Sequence, residues 1–128
     1  MKLELEEYNE ELGLLKENLN ACTMNRKLLE KEVQIVGIEL QMKPNNSELL
    51  RLKVQVLDRY NLNEEMIRIL KLAIRVLKNE KETSEVYEAY ITMYENSAKR
   101  FIEISESEDF KYLANKHIDN AIEEHIEK

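Results

Sequence analysis

Four basic side chains in the middle of the chain have the spacing that phosphate contacts require. They are Arg68, Lys71, Arg75 and Lys78. On a helix, steps of three and four residues place them in one row, and such a row can contact successive phosphates of a nucleic acid. The same row could instead pair with Glu11 and its acidic neighbours on an adjacent helix. Because the chain has a net charge of -7, we favour the second interpretation and predict that nucleic acid is not the partner.

The histidines and the single cysteine do not form a catalytic or metal-binding pattern. His117 and His125 are eight residues apart, and neither has a glutamate three residues before it, as di-iron sites require. The sequence has no zinc-type Cys/His spacing, no glycine-rich phosphate loop and no nucleophile motif. Cys22 lies among apolar residues, which predicts a small buried side chain and not a reactive thiol. We therefore expect a non-enzymatic protein without catalytic, cofactor-binding or metal-binding residues.

Composition indicates which elements carry these residues. The chain has 128 residues, two glycines and one proline, which favours a single domain built from a few long helices. Its acidic first residues predict no secretory signal, and the absence of a long apolar run predicts no membrane span. Together with the lone cysteine, this composition favours a cytoplasmic protein. The abundance of Lys, Glu, Asn and Ile suggests a low-GC bacterium or a phage as the source.

An apolar seam runs along the first part of the chain in alternating steps of three and four residues. Its members are Leu5, Tyr8, Leu12, Leu15, Leu19, Cys22, Arg26, Leu29, Val33, Val36 and Leu40. A heptad seam of this length predicts one long coiled-coil helix. Pro44 ends that helix because proline disfavours helical geometry in the residue before it.

A second seam follows the proline. It consists of Leu49, Leu52, Val56, Tyr60, Asn63, Ile67, Leu70, Ile74 and Leu77. Folding the chain back at Pro44 brings the two seams together and places their only polar members, Arg26 and Asn63, opposite each other. We interpret this pair as a lock on the register of an antiparallel hairpin. The alternative is a polar pocket for a ligand or a partner side chain.

The remaining residues predict a bundle. We place helices at 2–43, 47–79, 84–104 and 106–126. The last boundary depends on Ser105 and Glu108, which have the spacing of a capping box. One bent helix over 84–126 is the alternative. The predicted fold is all-α: a long antiparallel coiled-coil hairpin with one bent or two shorter C-terminal helices, making a three- or four-helix bundle.

Each arm of the hairpin carries a second apolar stripe. A third helix that starts at the open end of the hairpin is too short to cover the part of these stripes that lies near the Pro44 turn. That part of the stripe consists of Leu28, Ile35, Ile38, Met42, Leu50, Val54 and Leu57. Large exposed apolar patches mark protein interfaces. We therefore expect a homodimer through this surface, with residues 106–126 of the same chain as the alternative cover.

Three classes of function follow from these observations. The leading one is a protein–protein interaction module, such as an adaptor, chaperone, scaffold or inhibitor, that binds itself and another protein. The second is a nucleic-acid-binding protein that uses the basic row. The third is a small-ligand carrier or an enzyme.

Overall fold

The computed structural model describes residues 2–122, and within this range it consists of four α-helices and no strands. The helices are α1 (Leu5–Met42), α2 (Ser47–Glu80), α3 (Glu85–Glu106) and α4 (Glu108–Ala114), the last extended by a π-helical turn (Asn115–Asp119). The predicted all-α bundle is confirmed. The end of the predicted fourth helix and His125 lie outside the described residues.

The hairpin of α1 and α2 turns at Pro44. Lys43 leaves helical geometry at φ -133°, and the side chain of Asn46 then caps α2 by accepting a hydrogen bond of 3.0 Å from the amide of Leu49. At the open end α2 stops at Lys81, which adopts a left-handed conformation with φ 54°. There Lys2 forms an isolated antiparallel bridge with Glu82, which ties the start of the chain to the link before α3.

The inner faces of the hairpin follow the heptad pattern. The buried residues of α1 are Leu15, Cys22, Leu29 and Val36, each seven residues after the one before. The partners from α2 include Leu52, Val56, Ile67 and Leu70, all nearly inaccessible to solvent. Burial of this seam is the main driving force for the hairpin, because isolated helices gain little stability without an apolar face to pack.

Helix α2 is the central element. It packs against α1 and, on another face, against α3, whereas α1 and α3 have little backbone contact with each other. One core lies at the open end, where Tyr87 of α3 is buried with Leu15 and Leu70. A second core lies at the turn end, where Phe110 and Leu113 of α4 pack against α1 and α2.

Helices α3 and α4 are separate, and Ser107 separates them. Its hydroxyl accepts a hydrogen bond of 3.1 Å from the amide of Phe110, so it is the N-cap of α4. The predicted cap, Ser105, is instead the last-turn residue whose hydroxyl donates to the carbonyl of Phe101 at 2.7 Å. The break therefore falls two residues after the predicted one. The extended backbone of Ser107 redirects the chain toward the turn end of the hairpin.

The π-helical turn has a cause in the apolar spacing of α4. Leu113 and Ile118 are both buried, yet they are five residues apart. An α-helix brings residues three or four apart to one face, whereas a π-helical turn aligns residues five apart. The wider turn lets both side chains enter the core and leaves Lys116 and His117 at its rim.

Candidate interaction surfaces

The outer face of α1 is the longest apolar surface that no other described element covers. Its exposed apolar members are Leu14, Ala21, Met24, Leu28, Ile38 and Met42, and Ile35 is half-buried in the same row. Met24 and Met42 are the most open, at 71% and 72% exposed. We call this row, with the charged residues Glu17 and Lys31 that interrupt it, the α1 outer face. It forms a second heptad row along α1, parallel to the buried seam.

The α2 half of the predicted surface is smaller. Leu50 and Val54 are exposed, at 47% and 59%, and Leu57 is half-buried. The alternative cover for this surface was the segment 106–126 of the same chain, and α4 does reach the turn end. However, α4 packs over Val36, Leu52 and Val56 and leaves Leu50 and Val54 exposed.

The two halves point to opposite sides of the bundle, so the seven predicted residues do not form one patch. Glu32 and Arg59 bond to each other on the side where α3 and α4 pack. Leu28 is one turn before Glu32, so it points near that side. Leu50 is nine residues before Arg59, or two and a half turns at 3.6 residues per turn, so it points away. The predicted interface stays a prediction, and sequence periodicity could not give the relative direction of its two halves, because it places a stripe on each helix without the rotation between the helices.

The basic row lies on the outer side of α2 near the open end. Arg68, Lys71, Arg75 and Lys78 are all exposed, and within residues 2–122 none of them forms an ion pair. Within the described residues the predicted pairing with Glu11 is not formed, and the carboxylate of Glu11 accepts a hydrogen bond from the Tyr87 hydroxyl.

Arg26 and Asn63 do not bond to each other. The Arg26 guanidinium forms a two-point ion pair with Glu64, at 2.6 and 3.1 Å, and this hydrogen bonding raises the pKa of Arg26. The buried amide of Asn63 donates to the carbonyl of Cys22 at 2.9 Å, and its side-chain oxygen has no partner in the described structure. The long arginine reaches the rim, where its charge stays hydrated, while the shorter asparagine enters the seam. Both still link α1 to α2 at one level, so a role in register stays a prediction.

A half-buried arginine at the meeting point of all four helices was missed by sequence reasoning. Arg59 of α2 bonds to Glu32 of α1, and its Nε donates to the Ser105 hydroxyl of α3 at 3.0 Å. Its guanidinium lies 5.1 Å from the ring centre of Phe101 in α3 and 4.5 Å from that of Phe110 in α4. We call this cluster the Arg59 junction. The side chains of Arg59 and Glu32 are each 12% exposed. The junction therefore connects the four helices to one another inside the bundle.

The sequence did contain a signal for this junction. Arg59 precedes Leu62 and Met66 by three and seven residues, so it occupies a position in the apolar stripe that α3 covers. Gln55, one turn earlier, is in the same row and donates to Asp109 at 2.9 Å. A charged residue in an apolar row predicts a buried partner, and the partner could not be chosen without knowing where α4 docks.

Two ion pairs hold α4 to α2 at the rim. Arg51 binds Asp109 through two hydrogen bonds of 2.9 and 3.0 Å, and this lowers the pKa of the Asp109 carboxyl. Lys116 donates to Glu48 at 2.7 Å, which lowers the pKa of the Glu48 carboxyl, and His117 lies 3.3 Å from the same oxygen. An open pocket beside His117 is lined by Glu39, Lys43, Lys116, Asn120 and Ala121. It is shallow and mixed in charge, with no arrangement of acid, base and nucleophile.

Burial raises the pKa values of one cysteine and two tyrosines. Desolvation raises the pKa of the Cys22 thiol, so the thiolate that nucleophilic chemistry needs is disfavoured. Desolvation and the hydrogen bond to Glu11 raise the pKa of Tyr87, and desolvation raises that of Tyr94. Tyr87 and Tyr94 are thus packing residues, and the Tyr87 hydroxyl is satisfied at the rim.

Comparison with known protein families, with characterised proteins and with solved structures found no match. Between residues 2 and 122, no group of three His, Cys, Asp or Glu side chains could hold a metal ion. Over the same range, no helix has the length and apolar character needed to cross a bilayer.

Proposed function

We propose that this chain is a non-enzymatic protein–protein interaction module of the adaptor, chaperone, scaffold or inhibitor class, and that it self-associates through the α1 outer face. The observation that supports the proposal is the row of apolar side chains along α1 that no described element covers. Burying one Leu or Ile side chain completely stabilises a protein by about 1.5–3 kcal/mol. A row of partly exposed side chains therefore favours association over a free surface.

Sedimentation equilibrium of the purified chain tests this proposal. We expect a dimer at about 100 µM, because an interface without strong hot spots gives a micromolar or weaker complex whatever its area. Leu28→Glu should shift the mass to that of a folded monomer. Val54→Glu is the matched control, because Val54 is similarly exposed but lies on the opposite side of the bundle. A monomeric wild type, or dissociation by Val54→Glu and not by Leu28→Glu, would contradict the proposal.

Nucleic-acid binding through the basic row is the second candidate, and one observation favours it: four exposed cations without intramolecular partners in the described structure. The net charge of -7 opposes it. We expect no micromolar complex with generic duplex or single strands at about 0.1 M salt. A complex that is lost on charge reversal of Arg68, Lys71 and Arg75 would replace the first proposal.

A further inference from the structure

The α1 outer face is interrupted by two charges of opposite sign at equal distances from Met24. Steps of three and four lead from Leu14 through Glu17, Ala21, Met24, Leu28 and Lys31 to Ile35. Glu17 lies seven residues before Met24, and Lys31 lies seven residues after it. Both are exposed, and within the described residues neither forms an ion pair. The row is thus complementary in charge to itself when it is reversed.

We infer that the partner of the α1 outer face is a second copy of the same face, antiparallel to the first, with the two-fold axis at Met24. This inference rests on the proposed function and specifies its partner and geometry. In this arrangement Met24 meets the partner's Met24, and Glu17 of each chain meets the partner's Lys31. Leu14 lies ten residues before the axis and Ile35 eleven after it, and Ala21 and Leu28 lie three and four residues from it. These apolar side chains are therefore near each other across the pair, within about one residue, or ~1.5 Å, of direct opposition.

The charges along α1 favour this direction over the parallel one. Up to Cys22 the chain has six glutamates and two lysines, whereas from Thr23 to Lys43 it has four cations and three glutamates. An antiparallel pair sets the acidic half of each α1 against the basic half of the other. A parallel pair would set Glu17 against Glu17 and Lys31 against Lys31, and like charges in contact are destabilising.

The flanking positions are compatible with the antiparallel contact. Around Met24 they are Asn18, Asn20, Asn25 and Lys27, which place no like charges across the axis. The matched stretch from residue 14 to residue 35 is about 33 Å long at 1.5 Å per residue. Its two ion pairs lie roughly 10 Å on either side of the axis, about seven residues from Met24, so both lie within the contact and fix its register.

Charge-swap variants test this geometry in the full chain, with dimer dissociation constants measured by sedimentation. Glu17→Lys and Lys31→Glu should each weaken the dimer about ten-fold or more, because each creates two like-charged contacts. The double variant with both changes should recover the wild-type constant to within about three-fold. Mixing the two single variants should give mainly heterodimers, since the two lysines at these positions in one chain would then face two glutamates of the other.

The outcomes separate this inference from the function on which it rests. Far-UV circular dichroism first confirms that the exposed substitutions leave the fold intact. If the wild type is monomeric, self-association fails and the antiparallel pair fails with it. If Leu28→Glu dissociates the dimer but the double swap stays as weak as the single variants, the proposed function stands and the antiparallel geometry is overturned. As a second measurement, Leu14→Cys alone must not form a disulfide dimer, because the two Leu14 positions would lie about 30 Å apart.

Discussion

Replacing Arg59 by alanine should cost more stability than any other arginine substitution in α2. The change leaves Glu32 without its ion-pair partner in a site where both side chains are 12% exposed. Breaking a buried pair from one side costs about 3–5 kcal/mol, because the remaining charge stays desolvated. The lost contacts with the rings of Phe101 and Phe110 are part of the same truncation, each worth about 0.5–2 kcal/mol. We therefore expect a total loss of about 3–5 kcal/mol in the free energy of unfolding.

Urea unfolding followed by far-UV circular dichroism measures this loss. Arg68→Ala is the matched control, since Arg68 is exposed on the same helix and makes no ion pair among the described residues, and we expect a change within about 0.5 kcal/mol. The double variant Arg59→Leu with Glu32→Leu should lose less stability than Arg59→Ala alone, because no charge is left buried. The reasoning is refuted if Arg59→Ala matches Arg68→Ala, or if the losses at Arg59 and Glu32 simply add.

Three further predictions concern the other contacts described above. The ion pairs depress the pKa values of the Asp109 and Glu48 carboxyls, so their contribution to stability is present above the unfolded pKa and is lost as the pH falls through the lower folded values. Below about pH 4 the amides of α4 should lose protection from hydrogen exchange, relative to their intrinsic exchange rates at the same pH, before those of α2 do. Ser107→Ala should cost about 1 kcal/mol in thermal or urea unfolding, and Ser107→Asp should keep wild-type stability, because aspartate also caps helices. Asn63→Asp, equal in size, should cost at least about 3 kcal/mol at pH 7 and less in acid, since only the protonated carboxyl can donate to the Cys22 carbonyl; equal stability of Asn63→Asp and wild type at pH 7 would show that the site is hydrated.

The hairpin could be predicted from the sequence because the apolar pattern that specifies it is local and repeats along each helix. The seam from Leu15 to Val36 keeps its three-four alternation, and α1 ends at Met42, just before Pro44. The start of α4 was harder to predict from the sequence, since Ser105 and Ser107 are both good N-cap residues. Ser105 instead bonds to Arg59 of α2 and to the Phe101 carbonyl of its own helix, which leaves Ser107 as the cap.

The relative direction of the apolar stripes could not be predicted. Periodicity places Leu28 and Leu50 on exposed sides of their own helices, but it gives no rotation of one helix against the other. The ion pair between Glu32 and Arg59 fixes that rotation. Likewise, the pairing of Arg26 with Asn63 was predicted only from their opposite positions in the two seams. The Arg26 guanidinium instead forms a stronger, two-point contact with the neighbouring Glu64 at the rim.

The π-helical turn of α4 has a consequence for how this chain tolerates changes in length. Deleting a residue from an α-helix normally rotates every later side chain by about 100° and moves a core row toward solvent. Between Leu113 and Ile118 the effect should be reversed, because removing Asn115 would shorten the buried step from five residues to four and allow an ordinary helix through the same two anchors. The segment thus behaves as a single-residue insertion held in place by the core on both sides. Natural variants one residue shorter should be tolerated there, whereas a deletion between Leu15 and Cys22 would shift half of the hairpin seam.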